Sequence, residues 1–126
     1  MIRNTASFKE IVEVDVQEER QGNISIISIT GSIDALTAED LVSVLDQSIT
    51  DDYTRIIGDL SGVDYMSSAG LRAILKTLKA SRAAAGDLRL AAPTEGVRSL
   101  LDMSGFASIV QIYDDVDAAV KSFEGE

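Results

Sequence analysis

Two adjacent hydroxyls, Ser67 and Ser68, stand where a run of strand-forming residues gives way to a helical pattern, and they are the groups best placed for covalent chemistry. Upstream, Arg55-Ile56-Ile57-Gly58 reads as a buried strand, and Asp59 to Leu71 reads as a strand-to-helix loop. Downstream, Leu71, Ile74, Leu75 and Leu78 recur at helical spacing. A serine at such a junction has two uses. It can cap the helix, its oxygen accepting from first-turn N–H groups that have no partner inside the helix. Alternatively it can stand exposed as a phosphoryl acceptor, where the helix dipole and the free N–H groups favour the added negative charge. Both uses are open to either serine.

Other chemistries are closed off by composition. The chain has no cysteine and no histidine, which removes thiolate catalysis, disulfides, the usual general base and the commonest zinc ligand. Asp59 and Asp64 are a candidate acid–base or magnesium pair. No Walker-type loop or dinucleotide glycine pattern accompanies them, so the expectation is a protein that is not an enzyme and carries no cofactor or metal.

Eleven basic residues against 21 acidic ones leave a formal charge of −10, with a sequence pI near 4.3. Such a chain is repelled by phosphate backbones and anionic headgroups, and its few aromatics give bases little to stack on. No apolar run reaches the ~20 residues needed to span a bilayer, and the first residues lack the apolar core of a signal peptide. The expectation is a cytoplasmic protein that acts by touching another protein, with neither nucleic acid nor membrane as partner.

The elements that must position the serines follow from periodicity. Residues 1–9 show no period and read as a tail, leaving 10–126 as one domain. Val12, Val14 and Val16 alternate with acids as a half-buried strand; Glu18 to Asn23 reads as a polar turn, and Ile24 to Ile29 as a second, more central strand. Gly31-Ser32-Ile33-Asp34 reads as a strand-ending turn. Thr37 is the expected cap of a helix whose apolar face is Leu41, Val44, Leu45 and Ile49. Gly58, inside the third strand, marks a close approach.

The helix after the serines is expected to run to about Ala85, with Gly86 as a left-handed stop. Its polar side carries Arg72, Lys76, Lys79 and Arg82, either a solvated face or a patch that meets an acidic partner, with Arg72 nearest the serines. Leu88–Ala91 is a strand; Val97, Leu100 and Leu101 line a helix stopped by Gly105; Met103 and Phe106 read first as packing residues, with partial exposure to a partner as the alternative. Ile109–Tyr113 is a last strand, and Val116, Ala119, Val120 and Phe123 form the inner face of a last helix capped by Asp114 or Asp115. The order β-β-α-β-α-β-α-β-α implies an α/β fold with a mostly parallel sheet and an antiparallel N-terminal edge strand. Loops after parallel strands gather at one rim, which would bring Asp34 and Ser68 together.

Asp59-Leu60-Ser61-x-Val63-x-x-Met66-Ser67-Ser68-Ala69-Gly70-Leu71 resembles the signature of the STAS domain, in particular the small bacterial anti-sigma factor antagonists, and the likeness extends over about residues 10–123. The family pattern has Asp just before the acceptor serine, where this chain has Ser67. The resemblance implies the STAS fold and a partner switch. The unphosphorylated protein binds an anti-sigma factor that is a serine/threonine kinase and frees a sigma factor; phosphorylation ends the association, and a cognate phosphatase resets it. It further implies that Ser68 is the acceptor, with Ser67 as second candidate. Asp34, Asp59, Met66, Ser67, Ala69 and Gly70 are then expected to meet the partner together with Arg72. The alternative is a STAS scaffold or adaptor subunit of another regulatory or transport complex.

Overall fold

The computed structural model describes residues 14–124. The expected tail and Val12 lie outside them. β1 (Val14–Gln21) and β2 (Ile24–Ile33) form an antiparallel hairpin, closed by the two residues Gly22-Asn23 with Gly22 at φ 58°. Then follow α1 (Thr37–Thr50), β3 (Arg55–Met66), α2 (Ser68–Ala83), β4 (Asp87–Ala91), α3 (Glu95–Met103), a short 3-10 turn at Phe106–Ser108, β5 (Gln111–Tyr113) and α4 (Val116–Glu124). The strand order is β1-β2-β3-β4-β5, and every pair after the hairpin is parallel. This is the expected architecture.

Two apolar layers hold the sheet. Leu41 and Leu45 of α1, Leu71, Ile74 and Leu78 of α2, and Val97 and Leu101 of α3 pack on one face against Val16, Ile27, Ile56, Leu60 and Leu90. On the other face Ala119 and Phe123 of α4 cover Ile24, Ile26, Ile57 and Ala91. The alternation of Ile56 and Ile57 between the layers is the two-residue period of a strand covered on both sides.

The central pair outruns the rest of the sheet. β4 pairs with β3 only from Arg55 to Asp59, whereas β2 stays paired with β3 as far as Ile33 and Met66. Register shifts after Ser28 and after Gly31 (φ 112°) bend this two-stranded ribbon. Asp59 to Met66 and Gly31 to Ile33 are therefore strand, where a loop and a turn were expected. Polar residues are tolerated there because the ribbon is half exposed.

Three further corrections have local causes. Glu18 to Gln21 belongs to β1, because Glu18 is buried and held by Ser25 Oγ at 2.6 Å and Arg20 Nε at 3.0 Å, partners that periodicity does not reveal. The left-handed residue ending α2 is Ala85 (φ 67°), not Gly86. Gly86 N–H reaches back to Ser81 O and Ala85 N–H to Arg82 O, a Schellman ending one residue earlier than expected. Gly86 is needed for space instead, since a Cβ there would lie 2.0 Å from Thr54 O. Finally, the expected strand from Ile109 is confined to Gln111–Tyr113, because the preceding residues coil into the 3-10 turn. Gly58 does mark a tight contact, with Leu90 Cδ2 3.1 Å from where its Cβ would be.

Candidate functional site: the rim at the tip of the central ribbon

The last residues of β2 and β3, Ile33 and Met66, are register partners, and Ser67 N–H donates to Ile33 O at 2.8 Å. This bond ties the two strand-to-helix junctions together, so Asp34 and the serine pair share one rim, as their placement after parallel strands predicts.

The two serines then divide the two uses of a junction hydroxyl. Ser67 is extended (φ −91°, ψ 176°) and caps α2: its Oγ accepts from Ala69 N–H at 3.2 Å, and its carbonyl accepts from Leu71 N–H at 3.1 Å. It is half-buried. Ser68 is the first helical residue and is exposed, and none of the described residues hydrogen-bonds its hydroxyl. An uncovered nucleophilic oxygen thus sits at the helix start while its neighbour satisfies the backbone.

Asp34 caps α1, a role the sequence suggested for Thr37. Its Oδ1 accepts from Leu36 N–H at 2.9 Å and Thr37 N–H at 3.1 Å. Thr37 Oγ1 reciprocates, accepting from Asp34 N–H at 2.9 Å and donating to Ser32 O at 2.9 Å. This is a capping box with threonine in the place where Glu or Gln is usual. The Thr37 and Leu36 N–H groups, with help from the Thr37 hydroxyl, hold the Asp34 carboxyl below its ordinary value, so it is ionised at neutral pH.

Met66 and Gly70 act from beneath. Met66 is 4% exposed, and a Cβ on Gly70 would lie 2.6 Å from Met66 Cγ and 2.9 Å from Ile33 Cγ2. The glycine lets the first turn of α2 settle onto the ends of both strands, which fixes where Ser68 points. Ala69 is half-buried beside them, and Arg72 is exposed one turn beyond Ser68.

Asp59 is elsewhere. It sits seven residues before Met66 on an extended strand, about 20 Å away at ~3.3 Å per residue. It lies on the α4 face, pairing in register with Ala91 and accepting from Ser61 N–H at 3.0 Å. The ribbon also separates Asp59 from Asp64 by about 15 Å on the same reckoning, so they do not form an acid–base or magnesium pair. Asp64 instead accepts from Ser32 Oγ at 2.9 Å near the tip. No group of three or more His, Cys, Asp or Glu able to hold a metal occurs among the described residues. No described helix is long and apolar enough to cross a membrane.

Sequence reasoning missed two rim residues. Leu36, 82% exposed, and Tyr65, 56% exposed, flank the Asp34 and Ser67 junctions. The available signal was positional: a large apolar residue in the junction just before α1, and an aromatic one next to last in β3, each at a place where no core face is due. Of the four basic residues on α2, Arg82 is committed internally, to Asp87 Oδ1 at 2.9 Å and Ile109 O at 3.0 Å. Arg72, Lys76 and Lys79 are exposed, and among the described residues they make no ion pair.

A mostly parallel sheet entered through an antiparallel hairpin, with a serine pair opening the helix at the tip of its central ribbon, defines a class of small α/β domains. The STAS domain pattern matches residues 15–119, and the chain belongs to that family. BtrV of Bordetella bronchiseptica, named as a candidate anti-sigma factor antagonist, is 33% identical over 99 residues, covering 79% of this chain and 85% of that protein. The anti-sigma F factor antagonist of Paenibacillus polymyxa is 26% identical over 114 residues, covering 90% and 97%. Among solved structures, SpoIIAA in its unphosphorylated form superposes with a TM-score of 0.77 at 22% identity, covering 88% of this chain and 97% of that one. The phosphorylated Bacillus SpoIIAA gives 0.69 at 21%, covering 86% and 98%.

Proposed function

We propose that the chain is an anti-sigma factor antagonist whose grip on a kinase-type anti-sigma factor is switched by phosphorylation of Ser68. The observation that carries this reading is the division of labour at the rim. Ser67 satisfies the helix, and Ser68 is left with an exposed, unbonded hydroxyl beside exposed Leu36 and Tyr65. The relatives' names, and the existence of SpoIIAA in phosphorylated and unphosphorylated forms, point the same way.

In the transfer step Ser68 Oγ attacks the γ-phosphorus of ATP held with magnesium by the partner; ADP leaves, and the hydroxyl proton passes to a base on the kinase. The antagonist brings an acceptor and an address, and no cofactor of its own. The address is the rim: Leu36 and Tyr65 offer apolar anchors, Asp34 an ionised carboxylate, and Arg72 a cation.

The product is poorly suited to the complex. A phosphoserine adds about −1.5 to −2 charges at neutral pH to a rim that already holds Asp34 and Asp64. Like charges brought together in an interface cost several kcal/mol, and ~1.4 kcal/mol is a tenfold loss of affinity. The fold need not change, because the phosphate sits at the positive end of α2. A cognate phosphatase that hydrolyses the phosphoserine restores binding. The site of this exchange is the cytoplasm, where ATP and a sigma factor are found.

The test is to incubate the purified chain with the anti-sigma kinase and Mg-ATP, follow intact mass, and titrate both forms against the kinase. One phosphate on Ser68 and at least tenfold weaker binding of the phosphorylated form are expected. Equal affinity of the two forms would sink the proposal.

A further inference from the structure

Behind the rim, α1 and α2 lie side by side over a shallow groove of about 360 Å³. Its floor is small and apolar, from Ala38, Val42, Ala69 and Ala73, and its α2 wall is Arg72 and Lys76. Glu39 stands on the opposite wall. In a chain of formal charge −10 the two cations are conspicuous, since among the described residues neither has an ionic partner, whereas Arg82 two turns on is paired with Asp87.

We infer that this groove receives an acidic amphipathic segment of the partner protein, with a large apolar side chain over the alanine floor and carboxylates facing Arg72 and Lys76. Charge complementarity of this kind fixes register and steers encounter, while the small floor residues leave room for an anchor. The groove is continuous with the rim through Ala69 and Arg72. The inference rests on the partner-switch reading and deepens it. Ser68 lies four residues before Arg72 on the same helix face, so a phosphate on Ser68 competes with the partner's carboxylates for the guanidinium. Phosphorylation thus removes a groove cation as well as charging the rim.

The experiment replaces Ser43, on the groove wall, with photoreactive benzoylphenylalanine, irradiates the full chain in its native cell, and sequences the cross-linked peptide. It is repeated with Arg72→Glu plus Lys76→Glu, and with Lys79→Glu as a control outside the groove. Circular dichroism melts verify that each variant is folded. The expected result is one Asp/Glu-rich partner peptide, whose yield falls about tenfold in the double variant and is unchanged in Lys79→Glu. No cross-link, a neutral or basic peptide, or a yield indifferent to the double charge reversal overturns the inference. The same digests report phosphate on Ser68. A cross-link without phosphate keeps the groove and removes the switch, and phosphate without a cross-link does the reverse.

Discussion

The two ends of the parallel strands treat charge in opposite ways. At the N-terminal ends the charges are spent on one another. Arg20 bridges buried Glu18 and Asp51, at 3.0 and 2.7 Å, and lies 4.3 Å from the centre of the Tyr53 ring. Asp87 similarly joins Arg82 and Arg89. At the C-terminal ends the tip of the ribbon leaves Ser68, Leu36, Tyr65 and Arg72 facing outward, while Asp34, Thr37, Ser67 and Asp64 are held in local hydrogen bonds. One end holds the sheet together, and the other is the proposed meeting surface. Substitutions at the first should therefore change stability, and substitutions at the second should change binding.

The largest separation is expected from Ser68→Asp against Arg20→Ala. Ser68→Asp should weaken kinase binding at least tenfold, about 1.4 kcal/mol or more, by titration calorimetry, with an unaltered melting curve. Arg20→Ala should cost about 3 kcal/mol in urea unfolding, because it strips the ionic partner from a buried carboxylate. Its rim should still accept phosphate. Equal effects of both variants on stability would erase the contrast between the ends.

Ser67→Ala sharpens the contrast within the rim itself. Loss of the cap should cost about 1 kcal/mol in thermal or chemical unfolding while Ser68 remains a substrate. Ala85→Gly, far from the rim, should stabilise by roughly 0.5–1 kcal/mol, because it relieves a left-handed alanine.

The smallest effect concerns acid. Asp34, through the Thr37 and Leu36 N–H groups, and Asp51, through Arg20 and then Gln47, both have carboxyls held below their ordinary value. A group whose folded pKa is lowered adds stability that is present above the unfolded value, near pH 4, and lost as pH falls through the folded one. Unfolding free energy should therefore decline below about pH 4, and the decline should be shallower in Asp34→Asn.

Much of this fold was legible because apolar period and helix signals agree. Leu41 and Leu45, Leu71, Ile74 and Leu78, and Ala119 and Phe123 occupy the faces their spacing assigns. The shared rim also followed from chain order, since loops after parallel strands must converge. The failures have a common cause, which is that a partner distant in sequence changes what a residue does. Glu18 looks like turn material until Ser25 and Arg20 enclose it. Asp59 belongs to the signature stretch, yet the unbroken strand carries it to the other face and away from the tip. Asp34 and Thr37 are both good caps, and the choice between them depends on where β2 ends. The serine pair was ambiguous for the same reason: which hydroxyl turns inward is set by the Ser67–Ile33 bond between the strand ends.

The proposed switch rests on the exposed hydroxyl, and not on the capping one. Phosphosite mapping by tandem mass spectrometry on protein from its native cell tests it most directly, comparing wild type with Ser67→Ala and Ser68→Ala. Phosphate is expected on Ser68 in wild type and in Ser67→Ala, and none in Ser68→Ala. Phosphate on Ser67, or on neither serine while the sigma response still switches, would contradict it.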